Sequence, residues 1–476
     1  VKILFIAAEC APFVKTGGLG DVIGSLPKAL NRENNDTRVI LPLYSSIDRE
    51  KYKIKFLKYI FVTLGWRNLY CGIFEARLNG VKYYFIDNEQ YFNRFKVYGE
   101  FDDAERFAFF SKAAIEILPY INFKPDIINA NDWHTALSIV YLSILKDKRY
   151  EYFSNMKSVL SIHNIEFQGK FNSTLLSTLL DIEKKYHNIL LYDNDINFLK
   201  GGIQVADRVN TVSSTYADEL LYPYFAFGMD RILQVERWKL RGIVNGIDYK
   251  QFNPEKDEYL YKNYSKKTFK EKIINKLKLQ EELALEVNEE IPMIGMVTRL
   301  TDQKGINLVL EVAEQIINMG TQLVILGTGD KYYEDRLKEL EYRRHDRFRG
   351  LIMFSNSMSS KVYAACDMYL MPSKSEPCGL SQLIAMRYGT IPIVNRVGGL
   401  RDTVEPFNIE EKTGCGFTFE SFNAYDMLYA IRRSLDIYYY EKSSWNKIIK
   451  NAMSYNSRWK NSAKQYLEMY EEIAIN

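Results

Sequence analysis

Short apolar runs alternate with segments of helical period along residues 1–247, and the pattern starts again at Ile291. No other feature limits the possible folds of this chain so strongly. Apolar runs of about 4–8 residues suit strands buried on both faces, and the amphipathic segments between them supply helices to cover those faces. Strands are expected at 2–8, 38–42, 126–129, 158–162 and 209–212, then at 292–298, 322–326, 351–354, 367–371 and 391–394. Leu19, Val22, Ile23, Leu26 and Leu30 share one face of a first helix, which Pro27 should kink. The intervening stretch, 248–290, is highly charged and poor in β-branched residues. A length of 476 residues also exceeds one ordinary core. The expected fold class is therefore α/β, with two doubly wound domains and an interdomain cleft at the carboxyl ends of their sheets. The expected division is 1–247 and 248–455. A last amphipathic helix, 456–476, presents Ala463, Tyr466, Leu467 and Tyr470 on one face and must pack on something.

Charge and cysteine usage exclude several classes. Lys plus Arg number 63 against 60 Asp plus Glu, a net charge of +3, and no long basic run offers a nucleic-acid footprint. No run of about 18 apolar residues exists to span a membrane. The opening VKILFIAAEC reads as a buried strand rather than a leader, with Lys2 its single basic residue. Five scattered cysteines without a C-x-x-C suggest neither disulfides nor zinc, and a reducing compartment.

Three segments carry candidate chemistry. KTGGLGD, Lys15 to Asp21, links the first strand to its helix; it suits either a tight turn or a phosphate or sugar site. TRLTDQKG, Arg299 to Gly305, ends a strand and opens a helix. Its two cations can neutralise a diphosphate without metal, or simply lie on the surface. In SEPCGLSQLIAMRYGTIPIVNRVGGLRDTV, residues 375–404, Cys378–Gly379 and Gly398–Gly399 mark two strand-to-helix turns. Glu376 there either binds sugar hydroxyls or complements a helix dipole.

These segments occur together with NDWHT (131–135), SIHNIEFQG (161–169), FLKGGI (198–203), VNGID (244–248), LGTGD (326–330), EPCGLSQL (376–383) and YGTIPIV (388–394). In that order they resemble the bacterial glycogen synthase and plant starch synthase family over essentially the whole chain. The resemblance implies two facing Rossmann-like domains of the GT-B type, with the C-terminal helix crossing back to the N-terminal domain. It makes the N-terminal domain the acceptor side and the C-terminal domain the nucleotide-sugar side. It places Lys15 and Gly18 at the donor, Arg299 and Lys304 on the diphosphate, and Asp132, His163 and Asn245 around the transferred glucose. Glu376 would meet the sugar hydroxyls, and Cys378, Gly379 and Leu380 would line the glucose and phosphate end. Phe354 falls where the family usually stacks a tyrosine on adenine. Lys15, His163, Arg299, Lys304 and Glu376 are thus the expected catalytic set.

The implied activity is transfer of glucose from ADP-glucose, with retention, to the non-reducing end of an α-1,4-glucan. No cofactor and no metal are expected, and the partners are the glucan and the nucleotide sugar, in the cytoplasm of a bacterium or the stroma of a plastid. UDP-glucose as donor, a small glucoside as product, or an inactive glucan-binding homologue are the alternatives. Two departures stand out: Val397 replaces the family's usual threonine, and Asn131 its common histidine. Asp193–Asn194–Asp195 imitates a metal-binding motif but reads as a loop. His187 and His345 read as surface residues, while His134 lies within a family motif.

Overall fold

The structure, a computed structural model, describes residues 1–474. The chain divides into two compact units, residues 1–246 with 459–476 and residues 247–458. The chain leaves the first unit one residue earlier than the expected boundary at 247, and returns three residues later than the expected 456.

The first unit is built on a nine-stranded sheet. Its strands are β1 (Lys2–Ile6), β2 (Asp36–Pro42), β3 (Lys55–Leu64), β4 (Arg67–Leu78), β5 (Val81–Asp87), β6 (Ile127–Asn131) and β7 (Lys157–Ile162). A small separate sheet of β8 (Lys170–Phe171), β9 (Leu191–Tyr192) and β10 (Asp195–Asn197) intervenes before β11 (Arg208–Thr211) and β12 (Leu240–Gly242) complete the large one. The order is β12-β11-β7-β6-β1-β2-β5-β4-β3. All pairs are parallel except β3–β4 and β4–β5. The antiparallel ribbon β3–β4 lies outside the expected strands, because its exposed aromatic and lysine residues break the apolar run that marks a buried strand. Asn79 and Gly80, both at positive φ, form the tight turn from β4 to β5.

The first helix, Gly18–Asn31, continues as one element across the buried Pro27. The last, Trp459–Ala474, packs within the first unit. Tyr470 Oη donates to Asn129 Oδ1 (2.6 Å), Asn210 Nδ2 donates to Tyr466 Oη (3.0 Å), and Ser462 Oγ donates to Val244 O (2.6 Å). Ala463, Tyr466 and Tyr470 are buried as expected, whereas Leu467 is only half-buried and Met469 and Ile473 complete the face.

The second unit holds a six-stranded, all-parallel sheet: β13 (Met293–Val297), β14 (Gln322–Leu326), β15 (Phe348–Leu351), β16 (Met368–Met371), β17 (Ile391–Asn395) and β18 (Phe417–Phe419). Their order, β15-β14-β13-β16-β17-β18, is that of a Rossmann sheet. β15 lies upstream of the expected 351–354. The apolar run LIMF suggested that position, but register with β14 pairs Leu323 with Phe348 and Leu326 with Leu351, ending the strand there. Among the described residues no helix is long and apolar enough to cross a membrane.

Candidate active site

Strand order reverses between β1 and β6 in the first unit and between β13 and β16 in the second. Beyond the carboxyl ends at such a reversal neighbouring connections diverge and leave room for a ligand. Both sets of candidate residues lie at these ends.

In the first unit β1 leads into Glu9, buried in the loop. Its Oε2 accepts from the backbone N–H and hydroxyl of Thr16 and from Gly17 N–H (3.3 Å). Burial pushes this carboxyl up, against the lowering effect of those bonds. Glu9 thereby pins the turn that presents Lys15 and Gly18. The sequence reading did not single it out, although a charged residue inside the apolar run AAEC was a signal. Lys15 Nζ pairs with Asp21 at 2.7 Å, its side chain 43 % exposed. Gly18 opens the helix Gly18–Asn31, and a Cβ placed on it would have no neighbour within 4 Å. Packing within this chain therefore does not require a glycine there; a ligand approaching the backbone would.

Asp132 follows β6 with φ 57° and ψ −177°, a region that residues other than glycine rarely occupy and that costs about 1–3 kcal/mol. Its Oδ1 accepts from the backbone N–H of His163 (2.7 Å) and of Asn164 (3.4 Å), joining the ends of β6 and β7. Burial raises the Asp132 carboxyl to about 7 despite those bonds. The His163 ring meets Asn131 Oδ1 through Nε2 at 2.9 Å. Asn131 Nδ2 donates to Ile6 O (3.1 Å) and Asn129 O (3.2 Å), which fixes the orientation of the amide. Its oxygen must then face the ring, so His163 carries its proton on Nε2 and leaves Nδ1 as an acceptor. Burial lowers the ring to about 4, so it is neutral at pH 7. Asn245 is held separately beyond β12, and its buried Oδ1 has no partner within the protein.

In the second unit Arg299 is exposed just beyond β13. Lys304 Nζ donates to Glu376 Oε2 at 2.7 Å, and Ser373 Oγ donates to the same oxygen at 2.8 Å. Glu376 is buried. The next turn is bound to it, Gly399 N–H donating to Glu376 O at 3.0 Å. A Cβ on Gly399 would sit 2.0 Å from Cys378 O, so only glycine lets these two loops close up. Cys378 is buried, Gly379 has φ 71°, and Leu380 precedes the helix Ser381–Arg387. Val397 caps the helix Gly398–Thr403 without a side-chain bond, the contact a threonine there would supply. Phe354 stands apart on the loop beyond β15, 85 % exposed, its ring face free to stack.

The remaining candidates are structural. His134 is buried, with the Trp133 and Tyr98 rings 4.1 and 4.4 Å away, and burial lowers it to about 3. His187 Nε2 lies 2.8 Å from Ile182 O in a half-buried setting, and His345 is exposed. Asp193 and Asn194, both at positive φ, form the turn between β9 and β10, and Asp193 is paired with Arg231 at 2.6 Å. All five cysteines are buried, and none is in a disulfide.

Residues 2–235 match the starch synthase catalytic domain, and residues 284–454 match the glycosyl transferases group 1 family. The chain is 47 % identical to glycogen synthase from Clostridium botulinum (strain Alaska E43 / Type E3), covering 100 % of both chains. It is also 47 % identical to that from Lactobacillus acidophilus, over 99 % of this chain and 100 % of the relative. Among solved structures it resembles the catalytic domain of Starch Synthase IV from Arabidopsis thaliana, which is bound to ADP and acarbose. There the TM-score is 0.90 and the identity 32 %, over 100 % of this chain and 99 % of that one. Sucrose-phosphate synthase from Thermosynechococcus elongatus shares the fold, at a TM-score of 0.63 and 17 % identity over 99 % and 98 % of the two chains. Identity close to one half, sustained from end to end, means that the chain belongs to the glycogen synthase and starch synthase family of GT-B glycosyltransferases.

Proposed function

We propose that this chain elongates an α-1,4-glucan, transferring glucose from ADP-glucose to the non-reducing end with retention of configuration. The observation that carries the reading is Lys304 paired with the buried Glu376 at the reversal point of a Rossmann sheet, in a chain that also keeps Lys15, His163 and Arg299. Arg299 and Lys304 suit the donor's diphosphate, and Glu376, with Ser373 on the same oxygen, suits sugar hydroxyls. As the C1–O bond to the diphosphate breaks, both bonding electrons leave with the phosphate, and the two cations stabilise the charge that develops. The acceptor's 4-hydroxyl attacks C1 from the face being vacated, and its proton passes to the departing phosphate oxygen. Stabilising the leaving group then matters more than a dedicated enzymic base. A neutral His163, its Nε2–H held by Asn131, offers Nδ1 to a sugar hydroxyl rather than a proton to the leaving group. Asp132 and Asn245 are assigned to the glucose, and Lys15 with Gly18 to the donor. Cys378, Gly379 and Leu380 are assigned to the glucose and phosphate end.

Phe354 supports stacking on a base without a hydroxyl contact, so ADP-glucose is the expected donor and UDP-glucose the alternative. No metal is assigned, and the bacterial relatives suggest a cytoplasmic enzyme. The test is radiolabelled glucose transfer to glycogen from ADP-glucose and UDP-glucose in parallel. Preferential transfer from ADP-glucose is expected; preference for UDP-glucose overturns the donor, and no transfer from either overturns the reaction.

A further inference from the structure

One side-chain amide fastens two turns of the second unit from below. Gln382 lies in the helix Ser381–Arg387 and is fully buried. Its Nε2 donates to Cys378 O (3.0 Å), Gly379 O (2.9 Å) and Thr403 Oγ1 (3.1 Å), two hydrogens shared among three acceptors. Thr403 Oγ1 donates in turn to Gly399 O at 2.6 Å. The turn after β16 and the turn after β17 are thus joined through Gln382 and Thr403, as well as through Gly399 N–H and Glu376 O. Gln382 Oε1 is buried without a partner among the described residues, and a Cβ on Gly379 would fall 2.4 Å from it. An unpaired buried acceptor costs stability, so the amide contributes through its donors alone.

We propose that Gln382 is a positioning residue for the donor's diphosphate, holding two peptide groups so that the Gly379 and Leu380 N–H groups meet the phosphate next to the glucose; the inference rests on the reading of the chain as an ADP-glucose-dependent glucan synthase. A trans peptide is planar, and its N–H points opposite to its C=O. The Cys378 carbonyl shares a peptide with the Gly379 N–H, and the Gly379 carbonyl shares the next with the Leu380 N–H. Carbonyls drawn inward to Nε2 therefore turn both N–H groups outward. Neither N–H has an acceptor among the described residues. Gly379 at φ 71° followed by Leu380 at φ −112° and ψ −30° sets consecutive N–H groups around one concavity, a geometry suited to an anion. The same two turns carry Glu376, whose pairing with Lys304 places a cation beside them. Lys272 shows the purely structural form of this arrangement. Its buried Nζ also donates to two carbonyls and a threonine hydroxyl, Tyr363 O (3.2 Å), Ala364 O (2.5 Å) and Thr390 Oγ1 (2.7 Å). There the N–H groups of the same peptides lie inside the helix Asn356–Ala365 and are used by it. At Gln382 they are left for a ligand.

The experiment measures ADP and AMP affinity by calorimetry, glucose transfer from ADP-glucose to glycogen, and thermal melts, for the parent and three variants. Gln382→Met keeps the length and removes the donors, Thr403→Val removes the hydroxyl, and Thr403→Ser keeps it. Below its melting temperature, Gln382→Met should lose roughly tenfold or more in kcat, because misplaced N–H groups stabilise the departing charge less. Its kcat/KM for ADP-glucose should fall at least as far, while KM for glycogen stays unchanged. Affinity for ADP should fall about fivefold, as weakened charge-assisted hydrogen bonds imply. Affinity for AMP, which lacks the second phosphate, should stay unchanged. Thr403→Val should show a smaller loss of the same kind, and Thr403→Ser should behave as the parent does. A folded Gln382→Met with the parent's kcat and ADP affinity overturns the proposal. An equal loss of ADP and AMP affinity marks a general disturbance of the site and also overturns it. Should Gln382→Met unfold, the Thr403 pair decides by the same two readouts. Failure of the reading itself would appear separately, as a parent that neither binds ADP nor transfers glucose from ADP-glucose, and the inference falls with it.

Discussion

Lys304 and Glu376 are 72 positions apart in the chain, yet they form a part-buried ion pair, with Ser373 bound to the same carboxylate oxygen. A donor diphosphate would compete with Glu376 for Lys304 and leave the second carboxylate oxygen for a sugar hydroxyl. Lys304→Ala and Arg299→Ala should therefore each remove roughly 2–4 kcal/mol of transition-state stabilisation with the fold intact. Steady-state rates within tenfold of the parent for both variants would refute their assignment to the leaving group. Asn131 permits a second test. Asn131→Asp would set a carboxylate against His163 Nε2–H and stabilise the imidazolium, raising the ring from about 4. A raised pKa means that the neutral ring is lost as pH falls through a higher value. The acid limb of kcat/KM should therefore move to higher pH than in the parent, and superimposable profiles would show that the Nε2 contact does not set the ring's charge. The motif NDWHT marked this place in the sequence, but not that Asn131 would bridge β1, β6 and His163. That follows only from strands brought together from distant parts of the chain.

The helix Gly18–Asn31 holds one glycine that its packing does not require and another that it does. A Cβ on Gly18 meets nothing, whereas one on Gly24 would lie 2.7 Å from Ala11 O. Gly18→Ala should leave the melting temperature unchanged or slightly raised, by at most about 1 kcal/mol of helix preference, while raising KM for the donor. Gly24→Ala should cost roughly 1–3 kcal/mol through overpacking. Thermal melts with donor titrations distinguish the two, and an unaltered donor KM in Gly18→Ala would remove that residue from the site. The run KTGGLG was visible as a glycine loop, yet which glycine serves which purpose depends on how the Ala11 loop folds back. The β3–β4 ribbon shows the same limit at another element. Asn79–Gly80 was a readable hairpin signal, but the alternation in β3 places aromatic rings outside, and a search for apolar runs passes over it.

At the scale of the whole molecule, the proposed mechanism neutralises the departing diphosphate with two cations of the second unit, Arg299 and Lys304, and calls on no metal. With two cations assigned to one diphosphate, activity should survive exhaustive chelation. Transfer assayed after EDTA treatment and desalting should match the untreated rate. Loss of activity restored by Mg²⁺ or Mn²⁺ would contradict the assignment.

Local pattern alone determined that this chain would make two series of parallel strands and helices, and that its glycine-rich motifs would fall just beyond strand ends. Apolar runs and helical period report which face of an element is buried, and each can be read within a few residues. Neither reports which neighbour does the burying. The Rossmann order of the second sheet, the antiparallel ribbon closing the first, and the return of Trp459–Ala474 to the first unit were decided by tertiary structure. So were the pinning of the Lys15 turn by Glu9 and the pairing of Lys304 with Glu376. Each is a contact between residues far apart in sequence, selected by the shape and hydrogen-bonding capacity of the folded neighbourhood, which no local period encodes.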